Sequence, residues 1–136
     1  MFCNSNNITW YNDSKSTVPQ ATLAAIDKLL GKPIILFLGG VSKGVDRTGL
    51  IKALGQRVKL VICFGGEADS LYQACITNGV NSASFVNLEE ALDYCLQVST
   101  SGDQVLFSPG GASFDLFKNY VERGKIFKQL VCKQVG

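Results

Sequence analysis

The chain has 136 residues, 46% of them hydrophobic and 18% charged, which is enough for one domain with a real core and too apolar for disorder. Thirteen Lys and Arg against eleven Asp and Glu leave a net charge of +2, too small to favour nucleic acid or an anionic membrane surface as partner. No apolar run reaches the roughly 18 residues of a membrane helix, and the N-terminus lacks the basic flank and apolar stretch of a secretory signal, so a cytoplasmic protein is expected.

In chain order, short β-branched runs alternate with segments of helical period. A strand over 8–11 opens the series and leads into Asn12-Asp13-Ser14-Lys15-Ser16-Thr17, a run dense in hydrogen-bonding groups that suits either a ligand loop or a solvated turn. A helix over about 18–30 follows, with Thr17 and Gln20 as its capping pair, Pro19 in its first turn and Gly31 at its end. The strand over 34–38 ends in Gly39-Gly40-Val41-Ser42-Lys43-Gly44, which resembles a phosphate loop in composition but matches neither the Walker nor the dinucleotide pattern. A general anion site and a plain strand-to-helix turn are both open there.

A helix over 48–54, a strand over 59–64 and a helix over 68–78 come next, the last stopped by Asn78-Gly79. The junction between the latter two, Gly65-Gly66-Glu67-Ala68-Asp69, carries carboxylates at its tip instead of cations. A strand over 83–86, a helix over 88–98 begun by Asn87-Leu-Glu-Glu90, and a strand over 104–107 complete the alternation. Ser108-Pro-Gly-Gly-Ala-Ser113 then leads into a final helix over 113 to about 133, in which Ser113 is expected at the N-terminus. There its hydroxyl either caps the helix or helps the first-turn N–H groups hold an anion. Phe114, Phe117, Val121, Phe127, Leu130 and Val131 form the expected core stripe of that helix, and Lys118, Arg123, Lys125, Lys128 and Lys133 a solvated face.

The runs over 34–38 and 59–64 are continuously apolar, as strands covered on both faces are. The expected fold is therefore a three-layer Rossmann-like α/β domain with a mainly parallel sheet, one domain over 1–136. Ligands in such sheets bind beyond the carboxyl ends of the strands. The chain has no histidine, which excludes Ser-His-Asp and Cys-His triads and His-containing zinc sites. Its five cysteines are scattered with no Cys-x-x-Cys pair and read as free thiols, with Cys63, Cys95 and Cys132 in apolar company. Read from residue types alone, this is an α/β domain with two anion-binding corners and no activating base.

Three blocks together carry a resemblance: Trp10-Tyr11-Asn12-Asp13-Ser14-Lys15-Ser16-Thr17; Leu38-Gly39-Gly40 with Lys43-Gly44; and Leu106-Phe107-Ser108-Pro109 with Ala112-Ser113-Phe114-Asp115, Phe117-Lys118-Asn119-Tyr120 and Arg123-Gly124. In order and spacing they resemble the C-terminal domain of the Mur ligases, most of all the branch that adds D-glutamate to UDP-N-acetylmuramoyl-L-alanine in peptidoglycan synthesis. The resemblance implies ATP and Mg²⁺ as cofactors of the full-length enzyme, none held by this domain alone, and phosphoryl transfer that works by positioning and charge neutralisation. It implies that Asp13 contacts the ATP ribose and that Lys15, the one catalytic candidate, faces the phosphate region. It also implies that Thr17, Lys43, Ser113, Phe114 and Tyr120 line the D-glutamate pocket, with no metal ligand in the domain.

Val18-Pro19, Val41-Ser42 and Gly110-Gly111 depart from the family's usual residues, and the extra glycine before Ser113 is expected to loosen that loop. The N-terminal and central ATPase domains of the family are expected to be absent here, which leaves a chain inactive by itself. The alternative is a non-catalytic ligand-binding or regulatory module on the same fold.

Overall fold

Eleven elements follow one another in the computed structural model, which describes residues 1–41, 46–55, 57–112 and 117–135, the side chain of Val135 apart. They are β1 (Cys3–Ser5), β2 (Ile8–Asn12), α1 (Pro19–Asp27), β3 (Ile34–Leu38), α2 (Thr48–Leu54), β4 (Leu60–Phe64), α3 (Ala68–Thr77), β5 (Ser82–Phe85), α4 (Leu88–Val98), β6 (Gln104–Phe107) and α5 (Tyr120–Val135). The sheet order is β1-β2-β6-β3-β4-β5; every pair is parallel except β1 with β2. The expected five strands and five helices are all present: β3, α2, α4 and β6 at the expected bounds, β2, β4, α3 and β5 within one residue, and α1 and α5 shifted further.

Strict alternation along the strands gives the two faces different chemistry. Trp10, Phe37, Phe64, Val105 and Phe107 point to the side covered by α4 and α5, where Phe127 stacks on Phe107 with centroids 4.1 Å apart and lies 5.3 Å from Phe37. Ile34, Leu36, Leu38, Val61, Cys63 and Leu106 point to the other side, under α1, α2 and α3. One face is thus aromatic, the other aliphatic, and both are closed by helices, which is why the central strands are apolar apart from Gln104, whose buried amide donates to the Leu29 carbonyl at 2.8 Å.

Local signals explain most ends. Asn87 caps α4 by accepting from the Glu90 N–H at 2.8 Å, and α3 stops at Asn78 with Gly79 at φ +69°. Thr17 does not cap α1: Val18 holds the capping position without a side-chain bond, and Pro19 starts the helix. The hairpin β1–β2, which composition did not announce, turns on Asn6 and Asn7 at φ 55° and 61°, the left-handed pair that a tight right-twisting hairpin needs.

The last helix begins later than its expected start at Ser113. Asn119 caps it, its Oδ1 accepting from the Glu122 N–H at 2.8 Å and its carbonyl from the Arg123 N–H at 3.1 Å. Arg123 is fully buried, not part of a solvated face, and Val121 is 63% exposed instead of lying in the core stripe. Cys63, Cys75 and Cys95 are buried free thiols, whereas Cys132, expected in apolar surroundings, is exposed.

Candidate functional site

The parallel strands β2, β6, β3 and β4 all end on the same edge, so the loops after them meet there. The loop after β2 is anchored first. The Asp13 N–H donates to the Phe107 carbonyl at 2.7 Å, the Asp13 carbonyl accepts from the Ser16 N–H at 2.9 Å, and the Gly110 N–H donates to the Ser16 carbonyl at 2.9 Å. Asp13 Oδ2 accepts from the Ser108 hydroxyl at 2.8 Å and from the Ser16 hydroxyl as well. A half-buried carboxylate is thereby held in one orientation by two hydroxyls from separate loops.

Lys15 is exposed at the crest of this loop and borders two grooves. The larger, of about 660 Å³, runs between β2 and α1, with Asp13 and Ser16 at its polar end and Tyr11, Ala21, Ala24 and Leu106 along its walls. Small residues on the α1 face leave this space open. The second groove, of about 320 Å³, lies toward α5 and brings Lys15 beside Asn12, Tyr120, Lys125 and Lys128. Tyr120 is 46% exposed at the first turn of α5, and its carbonyl accepts the Ser14 hydroxyl at 2.7 Å. Lys125 and Lys128 are exposed, as expected of a solvated face, and they also line this groove.

The loops after β3 and β6 are joined to each other. Val41 and Ala112 exchange N–H···O bonds of 2.7 and 2.8 Å, and the Gly39 N–H donates to the Pro109 carbonyl at 3.1 Å. Ahead of Ser113, which lies outside the described residues, the glycine pair at 110–111 is closely packed. Gly111 is buried, and a Cβ there would stand 2.6 Å from Arg47 Nη1 and 2.7 Å from the Gly39 carbonyl oxygen, so the residue is glycine because the space is full.

Arg47, 5% exposed, donates to the Gly39 carbonyl, to the Gly40 carbonyl at 3.2 Å and to Glu67 Oε1 at 2.9 Å. It therefore ties the loop after β4 to the loop after β3. Nothing in the sequence marked it, because an Arg just before a helix is ordinarily a surface residue.

Of the expected site residues, the structure brings Asp13, Lys15 and Tyr120 to the same edge and places Thr17, half-buried, at the end of the same loop. Lys43, Ser113 and Phe114 lie outside the described residues. The thiols take no part: burial drives the Cys95 thiol up to about 12, with the Asp103 carboxylate adding to the shift, and Cys63 is driven up by its hydrogen bond with Cys75 and by burial. At neutral pH both are uncharged members of the core.

The sequence matches the family described as Mur ligase, glutamate ligase domain, over residues 1–111. It is 39% identical over 127 residues to a UDP-N-acetylmuramoylalanine–D-glutamate ligase of Lachnospira eligens, covering 93% of this chain and 28% of that protein. The ligase of the same name from Thermosipho africanus is 38% identical over 126 residues, covering 93% of this chain and 29% of that one. The chain thus spans under a third of the length of these relatives. Among solved structures, folylpolyglutamate synthase from Thermotoga maritima superposes with a TM-score of 0.65 at 14% identity, over 100% of this chain and 31% of that chain.

Proposed function

Given that the chain belongs to the Mur ligase family, as its C-terminal glutamate ligase domain, we propose that it is the acceptor-binding part of an ATP-dependent ligase that joins D-glutamate to UDP-N-acetylmuramoyl-L-alanine in the cytoplasm. In that reaction the γ-phosphoryl group of ATP passes to a carboxylate oxygen of the alanine, which releases ADP. The amino nitrogen of D-glutamate attacks the acyl carbon of the resulting acyl phosphate and loses a proton. The tetrahedral intermediate then collapses with departure of inorganic phosphate, leaving the amide.

The observation that carries this reading is the placement of Lys15 between two grooves with different donor sets. On the α1 side, an oriented carboxylate at Asp13 and apolar walls suit a nucleoside, with Asp13 receiving the ribose hydroxyls and Lys15 the phosphates. On the α5 side, Lys15 and Tyr120 line one groove, and in this reading the acceptor's amine and carboxylates meet the acyl phosphate there. Thr17, Lys43, Ser113 and Phe114 complete the acceptor pocket in this reading, with Lys43 and Ser113 on the two carboxylates.

Mg²⁺ supplies further neutralisation of phosphate charge in such chemistry. Among the described residues the carboxylate beside Lys15 is Asp13, already bonded by two hydroxyls, which suits sugar hydroxyls better than a divalent cation, so this reading assigns the ion to other parts of the ligase. In this reading other parts of the ligase share the ATP phosphates with Lys15, and the chain alone is not expected to turn over.

The test is a heteronuclear NMR titration with D-glutamate, L-glutamate and a non-hydrolysable ATP analogue. The reading expects D-glutamate to shift Lys15, Thr17, Lys43 and the 113–120 segment more strongly than L-glutamate does, and the nucleotide to shift Asp13, Ser16 and α1. An equal response to both enantiomers, or shifts confined to the outer lysines of α5, overturns it.

A further inference from the structure

Two fully or almost fully buried guanidinium groups grip the loops of this edge without touching either groove's open space. Arg123 donates from Nε to Ser14 Oγ at 2.9 Å, from Nη2 to the Ser14 carbonyl at 2.6 Å and from Nη1 to the Gly111 carbonyl at 2.8 Å. Its acceptors therefore sit one residue before Lys15 in one loop and two residues before Ser113 in the other. Arg47 reaches the same glycine run from the opposite flank, 3.4 Å from the Pro109 carbonyl, while holding the Gly39 and Gly40 carbonyls of the loop that leads to Lys43.

The glycines around them are shaped to this grip. A Cβ on Gly40 would stand 2.8 Å from Arg123 Nη1 and 2.4 Å from the Ala112 carbonyl oxygen; one on Gly124 would stand 2.8 Å from Asn12 Nδ2. Gly124 lets the first turn of α5 approach the loop after β2 closely enough for Arg123 to reach Ser14.

We infer that Arg123 is a positioning residue for the acceptor chemistry, acting with Arg47 to set the spacing of the loops after β2, β3 and β6, the first of which carries Lys15. A planar guanidinium offers donors in a fixed fork and can hold carbonyls of two separate segments at once. A lysine in the same place is a single point charge on a flexible stem and cannot. Holding a reacting lysine and its substrate contacts within fractions of an ångström is what makes such phosphoryl and acyl transfers fast, so a rigid tie between the loops acts on the reaction without touching substrate. The inference rests on the reading of Lys15, Lys43 and Ser113 given above.

The experiment compares wild type, Arg123→Lys and Arg123→Ala by amide hydrogen exchange, with and without methylguanidinium, and then by D-glutamate titration. In Arg123→Lys the amides of Ser16, Gly110 and Ala112 are expected to exchange roughly ten- to hundredfold faster, the factor carried by a lost charge-assisted hydrogen bond, while β4 and α4 keep their protection. Methylguanidinium is expected to restore slow exchange to these amides in Arg123→Ala, where ethylamine does not. D-glutamate affinity is expected to fall in parallel with loop protection.

Uniform acceleration across the sheet and helices, unfolding of both variants, or unchanged loop exchange in Arg123→Lys each overturn the inference. If wild type itself shows no D-glutamate response, the acceptor reading is what fails, and the tie between the loops is decided by the exchange and rescue arms alone.

Discussion

Replacing Gly111 by alanine separates two accounts of the Ser108–Ala112 loop by the sign of the effect. A loosely held glycine gains about 0.4–1 kcal/mol on becoming alanine, because the unfolded chain loses freedom. Gly111 is not in the left-handed region, so its backbone accepts alanine; the obstacle is space. The new Cβ would meet Arg47 Nη1 at 2.6 Å, the Gly39 carbonyl oxygen at 2.7 Å and the Val41 carbonyl oxygen at 3.1 Å. The Val41 carbonyl is held in the Val41–Ala112 bridge, the Gly39 carbonyl accepts from Arg47, and the guanidinium itself has acceptors on three chain segments.

Overpacking of this kind costs about 1–3 kcal/mol, and weakening one hydrogen bond from a charged donor costs about 1.5–3 kcal/mol more. After the entropic gain, the expected loss is about 1.5–5.5 kcal/mol. With about 2.1 cal/mol/K of unfolding entropy per residue, the 136-residue chain should lose about 5–20 °C in Tm. Urea melts of both proteins, checked by calorimetry, measure this directly. A neutral or stabilised Gly111→Ala protein refutes the packed-loop account.

Phe127→Ala removes the ring that touches Phe2, Trp10, Phe37 and Phe107, and a loss of about 3–5 kcal/mol is expected in the same melts. Native-state thiol titration should show Cys132 reacting first and Cys63, Cys75 and Cys95 only on unfolding. Cys95 has an ordinary value of 9.0 raised to about 12, so its contribution is intact below pH 9.0 and lost as pH climbs toward 12; Cys95→Ala should flatten that alkaline limb in stability measured against pH. Asp46 is held below its ordinary 3.8 by the Thr48 hydroxyl and N–H. Its contribution is present above that value and lost as pH falls through the lower folded one, so the stability gap between wild type and Asp46→Ala should close in acid.

The apolar runs at 34–38 and 59–64 made the buried strands legible, and with Asn87 and Asn78-Gly79 as punctuation most of the alternation could be read directly. What escaped was written in weaker signals. Cys3–Ser5 is too short and polar to look like a strand; only the Asn6-Asn7 pair hinted at the hairpin. The start of α5 was masked by Ser113, a good capping residue that lies six positions ahead of the one used, Asn119, whose partner Glu122 stood at the right spacing.

Arg123 was misread by residue type, although Arg123, Phe127 and Val131 share one helical face at i, i+4 and i+8 and all three are fully buried. For the site, residue types pointed to the Asp13–Lys15 loop and only the resemblance to Tyr120, while the ties that shape it run through carbonyls of glycines, and a backbone acceptor leaves no mark in a sequence.

The sheet order also has a temporal meaning. β6, the last strand to leave the ribosome, lies between β2 and β3, so the hairpin side and the β3-β4-β5 side share no ladder until residues 104–107 insert. Thr9 pairs with Gln104, and closing so long a loop is slow relative to forming helices. The nascent chain therefore carries two unjoined half-sheets with open edges almost to its end, and a chain that stops before β6 has no route to the native sheet. The edge where Lys15 sits is assembled in the same late event, because Asp13 hangs its backbone and its carboxylate on Phe107 and Ser108.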